Sequence, residues 1–227
     1  MIGRLFKSVC TLLVVIALSL SLVSCERDRE YDEQEVLTAA RELIGKSELL
    51  NEIYYGAGIP CTTDASTANG YYYEADIRYL MEKNFRTLEE LRAMTTAVYT
   101  EGLCNLIFST KLSSVVDEDS VQSMSRYYQK YSDLEGKEPE CIMVYTKAIN
   151  LLTGDILYDY TSLRVDGVKG ECVTVALEAV VFNDKGESQT ATLKIKMLEE
   201  DEGWRLDSPT YKVYNDKLDE YNSLQGK

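Results

Sequence analysis

The chain has no histidine, a single tryptophan, and only 24 basic side chains to set against 38 acidic ones. Without imidazole there is no Ser-His-Asp or Cys-His nucleophile pair, no His-ligated zinc and no imidazole general base. The formal net charge of −14 lacks the basic face that a nucleic-acid binder needs, so no nucleic-acid partner is expected. No Gly-rich phosphate loop occurs, and Asp155, Asp159 and Asp166 near turns lack the spacing of a calcium loop. No catalytic residue, metal site or cofactor is therefore expected. Internal repeats and low-complexity linkers are missing too. What is present is a globular composition. Of 227 residues 45% are apolar, which is too many for a disordered chain and enough for a core.

The first residues read as an address. Arg4 and Lys7 precede an apolar run from Val9 to Val23. That run is shorter than the ~20 residues of a membrane helix and fits the apolar part of a secretory signal. It ends in Leu22-Val23-Ser24-Cys25, which resembles the bacterial lipobox. The resemblance implies cleavage before Cys25 and lipidation of Cys25. It makes residues 1–24 a signal peptide, 25–31 a lipidated tether and 32–227 a single domain. The protein is then a bacterial lipoprotein on the extracytoplasmic face of the cell membrane, with the membrane as partner through the lipid on Cys25. The alternative is an ordinary cleaved signal with an incidental cysteine. Each buried acyl methylene contributes ~0.8 kcal/mol, so two or three chains anchor stably. Taking Arg4 and Lys7 from a charge of −14 leaves −16. Anionic lipid repels that charge, so the domain is expected close to the membrane but not on it.

Beyond Cys10 and Cys25 the chain has Cys61, Cys104, Cys141 and Cys172. Four cysteines in an exported protein allow three complete pairings. No tight CxxC-like spacing occurs, and buried free thiols are the other reading. Zinc is disfavoured because metal sites show paired short spacings.

Hydrophobic period divides the rest. A helix is predicted over 32–55, with Asp32 as cap and Val36, Ala40, Leu43, Ile44 and Leu50 at helical spacing. Residues 61–70 read as a loop. Tyr71-Tyr72-Tyr73 begins a strand, and 76–85 is ambiguous. Thr87-Leu88-Glu89-Glu90 is a capping box opening a further helix, and Thr100 caps the next. That short helix is apolar on most sides, Leu103, Leu106 and Ile107 included, and reads as buried. Residues 117–139 read as one more helix or an excursion. After Glu140 the period becomes two. Strands are predicted over 141–149, 158–165, 172–182 and about 190–197, with a turn at 183–186 and a last strand from Trp204 to Pro209. A tail helix is read over 210–225. Helices followed by an antiparallel meander make an α+β domain, with N-terminal helices packed on a curved antiparallel sheet.

That order, closed by Gly203-Trp204-Arg205-Leu206, resembles the nuclear-transport-factor-2-like (cystatin-like) cone. Tyr71-Tyr72-Tyr73, Phe85-Arg86-Thr87-Leu88-Glu89-Glu90-Leu91 and Gly203 to Tyr211 also resemble Gram-positive lipoproteins of the DL-endopeptidase inhibitor type. That resemblance implies an inhibitor that occludes the cleft of a cell-wall hydrolase and needs no catalytic residue. Two candidate sites follow from the residues themselves. Glu178, with Thr174, interrupts a weakly polar strand face and would line a pocket if the sheet curls; the alternative is that this face meets solvent. Tyr71, Tyr72, Tyr73, Tyr127 and Tyr128 stand out in a chain with 17 tyrosines and four phenylalanines. They suit an interface, or else half-buried strand positions. The expected function is a non-catalytic, membrane-anchored binding domain. The alternatives are a small-molecule-binding or enzymatic cone using a carboxylate, and a structural envelope lipoprotein.

Overall fold

The computed structural model describes residues 31–66, 70–113, 125–132, 138–148 and 150–214. The proposed signal, Cys25 and most of the tether fall outside that set. So does the tail beyond 214, and residues 210–214, which are described, are not helical. Among the described residues no helix is long and apolar enough to cross a membrane.

Helix α1 runs Glu33–Tyr55. Asp32 caps it, accepting from the backbone N–H groups of Gln34 and Glu35, while Glu33 and Glu35 face the positive helix start. Its apolar stripe of Val36, Ala40, Leu43, Ile44, Leu50 and Ile53 is buried. Strands β1 (Cys61–Ser66) and β2 (Tyr72–Ala75) follow, so the reading of 61–70 as a loop is corrected. The strand forms because β2 offers an antiparallel edge, Cys61 opposite Ala75, that a local polarity count does not see. The ambiguous stretch is a short helix, α2 (Ile77–Glu82), capped by Asp76. Helices α3 (Leu88–Thr96) and α4 (Glu101–Lys111) start at Thr87 and Thr100 as predicted, and the Thr87–Glu90 box is reciprocal. On α4 only Cys104 and Ile107 are buried; Leu106 is 58% exposed, so that helix is not buried all round.

Two open sheets then divide the strands. The first has the order β1-β2-β5-β4-β3, with β3 (Leu112–Ser113), β4 (Tyr127–Tyr131) and β5 (Pro139–Tyr145). It is antiparallel except for the two-residue β3–β4 pairing. Residues 127–131 are thus strand, where the period suggested a helix or excursion. The second sheet is the meander β6 (Ile156–Lys169), β7 (Cys172–Phe182), β8 (Ser188–Glu200) and β9 (Gly203–Leu206), antiparallel throughout. Strand β7 keeps Val173, Val175, Leu177, Ala179 and Val181 buried, and β8 answers with Ala191, Leu193, Ile195 and Met197. The result is α+β with two sheets rather than one meander: the Tyr-rich strands pair apart from the C-terminal ones. One hydrophobic core joins α1, α3, α4 and the inner faces of both sheets.

Polar groups fasten these layers. Helix α1 has no basic residue in its last turn, and Arg126, 5% exposed, supplies the charge from before β4. Its guanidinium donates to the carbonyls of Gly56 (2.7 Å) and Tyr54 (3.4 Å), to Asn150 Oδ1 and to the Tyr127 hydroxyl. Tyr127 in turn donates to Ile53 O and accepts from Ile59 N–H. The orphan carbonyls at the helix end therefore meet a cation, which suits the helix dipole. Gly58 (φ +83°) permits this approach, since a Cβ there would meet the guanidinium. On the other side, Thr210 Oγ1 bonds Ser47 Oγ and accepts from Asn51 Nδ2, while its carbonyl accepts from the Tyr158 hydroxyl. This buried network fixes α1 against β6 and the segment after β9.

Candidate functional site

Gly45 is three residues from Glu48 and four from Leu49, and Glu52 is four from Glu48 and three from Leu49, so these four form one stripe of α1, with the C-cap Gly56 four beyond Glu52. The stripe faces the start of β6, and between them lies a groove of about 660 Å³ that also takes in Lys83 and residues 152–158. Its charges are Glu48, Glu52 and Asp155 against Lys83. Its apolar members include Leu49, Leu152 and Leu157, and Leu157 is 59% exposed. The Tyr160 hydroxyl donates to Glu48 Oε1 at 3.1 Å. Burial, then the Glu48 carboxylate, raise the Tyr160 hydroxyl well above the ordinary tyrosine value. Burial pushes Tyr158 up to about 12. Both phenols stay protonated donors near neutral pH.

A second hollow of about 600 Å³ lies between α4 and the β8–β9 turn, with Glu101, Glu200, Asp201, Glu202, Cys104 and Arg205 around it. Here the chain satisfies its own edge. Leu206 N–H donates to Val98 O, Thr100 N–H donates to Leu206 O, and Arg205 Nε donates to Thr96 O. Arg205 also pairs with Glu202 at 3.2 Å.

The residues singled out from sequence are scattered. Glu178 and Thr174 stand half-buried on the β7 face opposite the core. Glu178 accepts from the Thr192 hydroxyl at 2.9 Å, and its cross-strand neighbours are Asp159 and Thr192. Neither Glu178 nor Thr174 lines either hollow. The five tyrosines divide between two sides of the first sheet. Tyr127 is fully buried in the main core, opposite Val144 and, across β5, Tyr73. Tyr72 and Tyr128 are buried with Met143 in a second small cluster, which Tyr71 and Tyr145 flank. The Tyr72 and Tyr128 rings meet edge to face at 4.9 Å, and the Tyr72 hydroxyl donates to Ser125 O. Only Tyr71 and Tyr73 keep partial exposure, so the five do not form one surface.

Cys61, Cys104, Cys141 and Cys172 are free thiols. Burial, with the Glu200 charge second, pushes Cys104 up to about 11, and burial does the same to Cys141. Raised in this way, the Cys104 and Cys141 thiols hold little thiolate near neutral pH and are weak nucleophiles. Among the described residues no three acidic or sulfur ligands gather as a metal site would need.

The groove carboxylates were not among the site residues expected from sequence. Glu48 and Glu52 stand four apart on α1, and that spacing was visible. What it faces depends on a strand more than a hundred residues later. Comparison with protein-family models, with curated proteins and with solved structures found no match to this chain.

Proposed function

We propose that the protein is a non-catalytic binding module, carried as a bacterial lipoprotein on Cys25 at the extracytoplasmic face of the membrane. The observation that carries the binding half is the acidic groove beside β6. It is open, mixed in polarity, and flanked by side chains that α1 and Thr210 hold in place. Such concave sites with a few charged groups are where ligands are usually held. The lipid half rests on Leu22-Val23-Ser24-Cys25. The sharpest version is an inhibitor that occludes a cell-wall hydrolase. The net charge of −14 supports it, since acidic surfaces steer association with basic enzymes. The packing of α1 on β6 and β9 is compatible with a nuclear-transport-factor-2-like cone, which we propose as the fold type.

Two measurements test this. Cys25→Ala in the producing bacterium moves the protein from the membrane fraction to the soluble fraction; retention at the membrane sinks the anchor. The full chain, added to a purified wall endopeptidase, slows wall digestion; unchanged digestion with no complex on gel filtration sinks the inhibitor. The carboxylate-enzyme alternative loses its named candidate, because Glu178 stands outside the groove.

A further inference from the structure

The groove has a backbone wall as well as side chains. Phe182 N–H donates to Asp155 O at 3.0 Å, so the Asp155–Phe182 pair is a hydrogen-bonded one. Antiparallel alternation then turns the N–H and C=O of Leu157 toward β7 and those of Ile156 and Tyr158 away from it. Strand β6 is the terminal strand of its sheet, so among the described residues no strand takes up those outward groups. The next outward carbonyl, Tyr160 O, is occupied by Arg41 at 3.1 Å. Just beyond, the register slips between Asp159 and Arg164. The bulge is pinned by Asp159, which accepts from Thr161, and by Ser162 Oγ, which accepts Glu178 N–H. The free edge is therefore short, Ile156 to Asp159, and it coincides with the groove.

Proteins usually guard such an edge with lysine, proline or a covering segment. The residues from Ile156 to Asp159 contain neither lysine nor proline, and the edge carries an exposed Leu157. Across the groove stand Glu48 and Glu52, with Asp155 at its mouth. We propose that an extended basic peptide segment of a partner protein adds to this edge as a fifth strand of the meander. Its backbone pairs with Ile156 and Tyr158. Its alternate side chains point to opposite faces, cationic ones to Glu48 and Glu52, apolar ones over Leu157. The inference rests on the binding-module reading and gives that module's partner its chemistry.

The test uses the full chain in detergent micelles and a fluorescent Lys-Val-Lys-Val-Lys-Val peptide, followed by anisotropy. A Glu-Val peptide of equal length and a Lys-Val peptide N-methylated at alternate amides are the controls. The parent basic peptide binds, more weakly as salt rises. The acidic and N-methylated peptides do not bind. Neutralising the groove with Glu48→Gln, Glu52→Gln and Asp155→Asn weakens binding by about tenfold or more. Leu157→Lys, at an exposed site that tolerates substitution, also weakens it while leaving the thermal melt unchanged. Equal binding of the N-methylated peptide would mean charge adsorption without strand pairing and overturns the proposal. So does equal binding by the triple variant, or no binding of the basic peptide. If the full chain still inhibits a wall hydrolase while no peptide binds, the edge proposal fails and the module reading stands. If neither occurs, both fail.

Discussion

The groove beside β6 and the hollow beside β9 have similar volume and similar charge, yet they differ in what their backbone has left to offer. Beside β9 the groups are already used: Val98, Thr100 and Thr96 bond Leu206 and Arg205, and a parallel bridge joins Tyr99 to Leu206. Beside β6, Ile156 and Tyr158 face the groove with no strand opposite among the described residues. Acidity alone therefore does not distinguish a site from a solvated turn. Glu200, Asp201 and Glu202 surround an edge that the fold has closed, whereas Glu48, Glu52 and Asp155 surround one that it has not.

Breaking the closed side has the largest effect. Leu206 is fully buried, and Leu206→Ala is expected to lower stability by about 2–5 kcal/mol in denaturant unfolding. The matching change on the other side, Leu157→Ala, alters stability by no more than about 0.5 kcal/mol, because that side chain already meets water. A comparable loss for both would mean that the β6 edge is packed as the β9 edge is.

Thr210 joins the comparison from beneath the groove. Thr210→Val leaves Asn51 Nδ2 and Ser47 Oγ without their buried partner and costs about 1–3 kcal/mol. Chemical denaturation of the full chain measures it; a neutral result would mean that water replaces the hydroxyl there.

Cys104 reports on the closed side with a smaller effect. Burial raises its thiol from 9.0 to about 11. A raised folded value means that its contribution is whole below pH 9.0 and is lost as pH rises through about 11. Alkaline unfolding of Cys104→Ala should therefore be less steep over that interval. At pH 8 native Cys104 holds about 100-fold less thiolate than an ordinary thiol, so it alkylates slowly. Rapid alkylation at pH 8 would show that the hollow beside β9 opens.

Much of this fold was legible in the chain. Asp32, Thr87 and Thr100 marked three helix starts because a cap is a local hydrogen-bond event. The alternation of Val173 to Val181 marked β7 because strand period follows from one buried face. Residues whose state depends on distant partners were harder. Cys61–Ser66 is polar and became strand only by pairing with β2. Tyr127–Tyr131 has no helix or strand period of its own, and β5 decides it. The tyrosines were visible as a cluster in sequence, but their alternation across a sheet separates Tyr127 from Tyr128. The groove was the least legible, since Glu48 and Asp155 meet through tertiary packing alone, and Arg126 gives no local sign that it caps a helix seventy residues earlier.

Residue-resolved amide hydrogen exchange, with and without the Lys-Val peptide, tests the central claim most directly. The account predicts that the Ile156 and Tyr158 amides exchange fast in the free protein and slow when the peptide is added, while Leu206 is protected in both states. Protection of Ile156 and Tyr158 in the free protein, or exchange that the peptide leaves unchanged, would contradict it.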